Sequence, residues 1–353
     1  MKDKIFHKYV RIAVALILVL TVTAKVYSTN ARSDTHDWIY DAVQEIDKSQ
    51  DNYTFIVMGD NKNARMFDDI IDRTNAEDAV FVMDVGDMVI KGERAYYELF
   101  VEQAKRSNKP FLTAIGNHEL YDNGRAEYYD IFGPFYYSFT IGNAYFIVLD
   151  DANEEGLDAW QKEWMIGELE KSQNYSLRFV FMHVPLYDPR PDIGHCLKDP
   201  EAAKELNDIF DRYNVSMVFS AHIHAYYNGT WGKTPYIITG GAGGEQVGGD
   251  DPAHYFYHYI RVHVSGGNVS YEVVKLDGPD FVAQRPLYSV WLHLYVFLDV
   301  NALNIVIFLS AFYLGYFVVF IKKKWMSHHF TKRAREKLHI HQRDDDEEED
   351  KKI

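Results

Sequence analysis

Phe111-Leu112-Thr113-Ala114-Ile115-Gly116-Asn117-His118-Glu119 is the stretch on which the reading of this chain turns. An apolar run ends on a glycine, and an amide, an imidazole and a carboxylate follow at once. A short apolar run closed by a turn residue reads as a buried strand, so the polar triplet stands where a strand leaves its sheet. The arrangement recurs on both sides. Upstream, Phe55-Ile56-Val57-Met58 runs into Gly59-Asp60, and Ala79-Val80-Phe81-Val82-Met83 precedes Gly86-Asp87. Downstream, Phe179-Val180-Phe181-Met182 runs into His183-Val184-Pro185, and Val215-Ser216-Met217-Val218-Phe219 precedes His222-Ile223-His224. Open α/β sheets gather ligands at the carboxyl ends of their strands. Carboxylates, an amide oxygen and imidazoles suit Zn, Fe or Mn rather than a thiolate metal.

Taken singly, each motif has an ordinary reading. Asp60 and Asp87 serve as turn residues after glycine, Asn117 as a helix cap, His183 as a satisfied buried histidine. Together, and in this order, they resemble the calcineurin-like metallophosphoesterase family over roughly residues 53–275. The resemblance implies an α/β class β-sandwich: two packed mixed sheets flanked by helices, with metals at one edge. It implies two divalent or trivalent metal ions (Mn, Fe or Zn). Asp60 and His224 then belong to the first metal, Asp87 bridges, and Asn117, His183 and His222 hold the second. His118 matches the family's histidine that binds no metal and assists the leaving group. The implied reaction is hydrolysis of a phosphate mono- or diester by a metal-bridging hydroxide, with no protein nucleophile.

One position departs from the family pattern. Its first motif is usually Asp-x-His, and here it reads Asp60-Asn61-Lys62. A charged lysine has no acceptor for a metal. The first metal keeps Asp60, Asp87 and His224, and Lys62 either meets a substrate phosphate as a point charge or projects into solvent. This change leaves open a second function, a non-catalytic membrane receptor or scaffold on a degenerate phosphoesterase fold. A phosphoesterase acting on lipid headgroups is a third.

Composition narrows the choice. The chain has 353 residues, 47% of them hydrophobic, enough to bury a sizeable core, and a formal net charge of −15. Part of that charge lies in the acidic run from Asp344 to Asp350, but the remainder is still acidic. Nucleic acid is therefore not an expected partner, since binding it needs a basic face. The single cysteine, Cys196, excludes an internal disulfide and a cysteine-based zinc site.

Two segments outside the phosphoesterase region point to a lipid bilayer. Lys2, Lys4, Lys8 and Arg11 precede the apolar run 12–24, which suits a secretory leader over 1–28 or a retained signal anchor. Residues 29–52 read as a linker with an amphipathic helix, and 276–300 as a juxtamembrane segment. Residues 301–321 are long enough to span a bilayer, which takes about 20. Lys322-Lys323-Lys324 and the charged tail 322–353 follow. Basic flanks stay in the cytoplasm, which predicts a cytoplasmic tail and an outward-facing phosphoesterase domain. Sequons at Asn52, Asn174, Asn214, Asn228 and Asn268 agree with export. A helix over 157–169 is expected to turn Trp160 and Trp164 into the core. The loop 188–200 follows His183 closely, which places His195 near the metals.

Overall fold

Alternation along the apolar runs sets the architecture. The computed structural model describes residues 2–30, 37–246, 249, 251–276, 290–291, 294, 297–298 and 301–320. These fall into two units, divided between Ser33 and Asp34 and between Trp291 and Leu292. The first unit begins with α1 (Lys2–Asn30). The second runs α2 (Trp38–Glu45), β1 (Asn52–Met58), α3 (Arg65–Asn75), β2 (Val82–Asp84), α4 (Arg94–Ala104), β3 (Phe111–Thr113), α5 (Gly124–Phe132), β4 (Tyr137–Ile141), β5 (Ala144–Val148), α6 (Ala159–Lys171), β6 (Leu177–Phe181), α7 (Pro200–Arg212), β7 (Met217–Ser220), β8 (Tyr226–Trp231), β9 (Thr234–Thr239), β10 (Tyr257–Ser265) and β11 (Asn268–Leu276). The first unit closes with α8 (Asn301–Phe320).

Two sheets carry the second unit, in the orders β11-β10-β1-β2-β3 and β4-β5-β6-β7-β9-β8. Within the first, β1, β2 and β3 are parallel, with Val57 beside Met83 and Met83 beside Leu112. Within the second, β5, β6, β7 and β9 are parallel, with Phe146 beside Phe179 and Phe219 beside Ile237. Successive side chains alternate between the faces of a strand. Phe55 of β1 stacks on Phe81 at 5.0 Å and meets Phe146, Phe179, Phe181 and Phe219 edge-on, at 5.4 to 6.3 Å between centroids. The residues between those rings, Tyr145, Ile147, Val180 and Val218, cluster with Met165 and Leu169 of α6 and Leu206, Ile209 and Phe210 of α7. Both faces of these strands are buried, which is why they read as continuous apolar runs. On the other sheet, Phe67 of α3 stacks on Phe100 of α4 at 5.4 Å, and both rings press on Phe111.

Several boundaries differ from the sequence expectation. The segment 29–52 holds α2, which belongs to the folded unit: Ile39, Ala42 and Ile46 are buried, and Trp38 Nε1 donates to Phe111 O at 2.7 Å. The hairpin at Gly142-Asn143 forms as expected, pairing Ile141 with Ala144. Strand β8 was not expected, because its residues 228–230 are exposed and show no apolar pattern. Trp164 packs on Tyr136 at 4.8 Å, but Trp160 is 80% exposed. A one-turn spacing puts two rings on the same stripe without giving both a partner. Among the described residues α8 is the one helix long and apolar enough to cross a membrane. The tail 322–353 and most of 276–300 lie outside the described residues.

Phe55 joins the two sheets through four phenylalanines of the facing sheet. Phe55→Ala is expected to cost about 3–5 kcal/mol, the range for emptying a large aromatic site. Chemical denaturation of the detergent-solubilised chain measures it. A loss under about 1 kcal/mol would remove Phe55 from the centre of the core.

Candidate metal centre

The carboxyl ends of β1, β2 and β3 in one sheet and of β6 and β7 in the other meet at one edge. The loops leaving β1 and β2 run as a pair. Asp60 N, Lys62 N and Asn63 N donate to Gly86 O, Asp87 O and Met88 O at 2.9, 3.0 and 3.0 Å. Asp60, Lys62, Asp87 and His222 adopt left-handed backbone conformations, with φ of 59, 47, 57 and 65°.

The six expected ligands and His118 come together here. Asn117 Oδ1 lies 3.1 Å from His183 Nε2 and 2.9 Å from His222 Nδ1, and His183 Nε2 lies 3.3 Å from Asp87 Oδ1. Asn117 Oδ1 thus links the two imidazoles, and one ligand atom each of Asp60, Asp87 and His183 lie within 4.8 Å of one another. Beside them, His224 Nε2 stands 3.4 Å from Asp60 Oδ1. Asp60 is fully buried, and neither carboxylate oxygen has a hydrogen-bond partner. A buried charge without a partner is costly, and a cation between Asp60, Asp87 and His224 removes that cost. The residues present therefore fit metal ions. Their rings are set for it: His183 Nδ1 donates to Val85 O at 2.9 Å, and His224 Nδ1 donates to Glu245 O. Each arrangement leaves Nε2 free as a ligand.

The electrostatics agree. Burial opposes ionisation of Asp87, but His183, Lys62 and His118 outweigh it and hold the carboxyl below the usual range. Burial pulls the His183 imidazole down, yet Asp87, Asp60 and Asp151 outweigh it and favour the protonated ring. A metal at Nε2 displaces that proton. Burial, aided by His183 and His195, pushes His222 far down, so its ring is neutral and can ligate.

Three groups that sequence reasoning passed over hold the ligands in place. Glu119 is fully buried and accepts from Asp87 N, Gly116 N and Val89 N at 2.9, 2.6 and 3.0 Å. It ties the loop after β2 to the loop after β3. Burial and the nearby Asp87 push its pKa up to about 7. A side chain at Gly116 would place its Cβ 2.4 Å from Asp87 N, so only glycine permits this approach. Asp151 accepts from His183 N and Val184 N at 2.8 and 2.9 Å, and burial raises it to about 7 as well. Asp84 accepts from Asn61 Nδ2 at 2.6 Å and Gly86 N at 3.1 Å, bracing both aspartate loops.

Lys62 does not project into solvent. Its ammonium lies 3.1 Å from Asp87 Oδ2 and 3.0 Å from His118 Nε2. His118 Nδ1 faces Ile90 O at 2.8 Å. A carbonyl only accepts and an ammonium only donates, so His118 is neutral, protonated on Nδ1 and bare on Nε2. Burial, with Lys62 reinforcing it, lowers the His118 pKa. Both residues line a cleft of about 270 Å³, with Asp87, Asn117, Arg190, His195, His222 and His224. Arg190 pairs with Asp188, which also accepts from His195 N at 2.8 Å, and the His195 ring rests 3.9 Å from that of His222.

The family model described as calcineurin-like phosphoesterase matches residues 32–226. The serine/threonine-protein phosphatase CPPED1 of Rattus norvegicus is 31% identical over 171 residues, covering 44% of this chain and 52% of that protein. Purple acid phosphatase 13 of Arabidopsis thaliana is 32% identical over 136 residues, 35% of this chain and 25% of that one. The chain spans about half the length of the CPPED1 relatives it matches, or 52% for the rat protein. Among solved structures, a purple acid phosphatase from yellow lupin (Lupinus luteus) superposes with a TM-score of 0.53 at 15% identity, over 64% of this chain and 52% of that one. GAP50, the anchor in the inner membrane complex of Plasmodium, superposes at 0.51 and 14% identity, over 64% and 85%. At such identities both likenesses show the fold alone.

The Glu119 tie carries a prediction. Glu119→Gln replaces one acceptor oxygen with a donor, so at least one of three backbone N–H groups loses its partner. Stability should fall by about 1–3 kcal/mol, and metal content by elemental analysis should fall with it. Unchanged stability and metal content would rule out the tie.

Proposed function

Since this chain belongs to the calcineurin-like phosphoesterase family, we propose that it is a membrane-anchored, outward-facing, metal-dependent phosphoric ester hydrolase. The observation that carries this reading is Asp60, a fully buried carboxylate with no hydrogen-bond partner, grouped with Asp87 and His183, facing His224 and beside Asn117 and His222. Asp60, Asp87 and His224 would hold one ion, and Asp87, Asn117, His183 and His222 the other. Bound there, two cations supply Lewis acidity and hydroxide near neutral pH, the chemistry of phosphoryl transfer to water. The phosphatases among the relatives support a phosphate ester as substrate, and the scaffold reading has no observation in its favour.

The chain's own residues do the rest. The cleft above the donors is lined by Lys62, His118, Arg190 and His195, all donors or potential donors toward a phosphate. Lys62 places a fixed positive charge against the edge of Asp87, where an entering ester oxygen would meet it. His118 holds no proton on its cleft-facing nitrogen, whereas Lys62, 3.0 Å away, does. Lys62 and His118 therefore act as a pair: the imidazole Nε2 accepts from the ammonium and orients it, and the ammonium would give its proton to the departing oxygen. His195, braced through Asp188, narrows the cleft above His222.

Membrane anchoring is supported by α8, whose exposed face carries Phe308, Phe312, Tyr316 and Phe320. The basic residues 322–324 that follow in sequence favour a cytoplasmic tail. The asparagines of all five sequons are exposed, as glycan acceptors on an exported domain must be.

Element analysis and a metal-dependent activity screen over phosphate mono- and diesters test the reading. Asp87→Asn should abolish turnover and strip metal. His118→Ala and Lys62→Gln should each slow hydrolysis of alkyl phosphates by about a hundredfold, slow nitrophenyl phosphate less, and leave metal content intact. Equal losses on both ester types would remove the proton-delivery role. Absence of metal from the wild-type chain would remove the hydrolase.

A further inference from the structure

The described parts of α1 and α8 touch each other at two levels. The Lys25 ammonium donates to Asn304 Oδ1. The Arg11 guanidinium lies over the Phe317 ring, 4.0 Å from its centroid. The late residue of α1 thus meets the early residue of α8, and the early one meets the late one. Only antiparallel helices pair in this way.

We propose that α1 is retained in the mature protein as a second membrane span, paired with α8 in a helical hairpin whose two free ends both lie in the cytoplasm. The inference rests on the membrane reading of α8 but not on the hydrolase reading. Three further observations support it. The first is charge. Lys2, Lys4 and Lys8 precede Arg11 in sequence, and Lys322-Lys323-Lys324 follow α8. An antiparallel hairpin brings both basic clusters to one side of the bilayer, and basic flanks mark the cytoplasmic side. Contact geometry and charge, which are independent, give the same topology.

The second is polar satisfaction. Lys25 and Asn304 are costly in hydrocarbon unless paired, and each meets the other. The two threonines of the apolar run are also satisfied within their helix. Thr21 Oγ1 donates to Ile17 O at 2.7 Å, and Thr23 Oγ1 to Val19 O at 2.9 Å.

The third is the outer surface. Leu16, Val19 and Leu20 of α1 are exposed, as are Phe308, Phe312 and Tyr316 of α8. Apolar residues on the outside and polar contacts between the helices suit lipid as the surrounding medium. The run from Ile12 to Ala24 covers roughly 20 Å at 1.5 Å per residue, short of a bilayer core of about 30 Å. Arg11 and Lys25 bracket it, and their long stems let the charges reach the interfaces.

The test uses the full chain in cells. The untagged protein is extracted from membranes, and its intact mass and N-terminal sequence are read. The hairpin requires α1 to be present in the extracted protein, joined to the folded unit. A start beyond α1 overturns it. In a second arm, epitopes at both ends are probed with external protease. Both must be protected until the membrane is opened. Loss of the N-terminal epitope with protection of the C-terminal one overturns the hairpin and leaves the α8 anchor standing. Loss of the C-terminal epitope overturns the orientation of α8 itself. The third arm places cysteines in a Cys196→Ser background. Lys25→Cys with Asn304→Cys should cross-link within one chain through a short bifunctional thiol reagent, and Lys25→Cys with Phe317→Cys should not. The reverse pattern refutes antiparallel pairing.

Discussion

The Glu119 carboxylate accepts three backbone N–H groups and so fixes the mutual position of the loops after β2 and β3. Hydrogen bonds to a charged acceptor contribute about 1.5–3 kcal/mol each, but burial, with Asp87 beside it, pushes Glu119 toward its neutral form. The neutral acid offers fewer acceptor sites to the same donors. Cations held beside Asp87 would ease the part of that shift that Asp87 causes, by screening its charge. Metal binding and the Glu119 tie would then strengthen one another, and Gly116, which lets the two loops approach, is the steric condition for the tie.

The residues gathered at the sheet edge were legible because each follows closely on a buried apolar strand, which gives even a single aspartate a defined place. Asp60, Asp87, Asn117, His183, His222 and His224 all emerged that way, and the geometry brings them together. Glu119, Asp151 and Asp84 were not legible in their roles. Each acts on backbone N–H groups of a neighbouring loop, and such partners leave no spacing in the sequence. Strand β8 escaped because its outer residues are exposed and pair through backbone alone. Trp160 was misplaced because helical spacing identifies a stripe, whereas burial depends on what faces each position along it.

Lys62 shows how a one-residue departure changes a site without emptying it. An imidazole in its place would supply an acceptor to a cation. The ammonium supplies a charge of its own, set between Asp87 and His118. This moves the proton from the imidazole to the amine and leaves His118 as its acceptor. The consequence is a first-ion site with one protein ligand fewer and a cleft with one fixed cation more.

The left-handed backbone of Lys62 and His222 has a cost that the folded chain must carry. For a residue with a Cβ that cost is about 1–2 kcal/mol, against a typical domain stability of only 5–15 kcal/mol. The unpartnered Asp60 carboxylate adds to it. A ligand that binds only the native state adds stability in proportion to the logarithm of its concentration. If the site holds metal as proposed, the steady-state amount of this protein should therefore follow the metal supply, because chains made in metal-poor conditions would be cleared by quality control before their activity mattered.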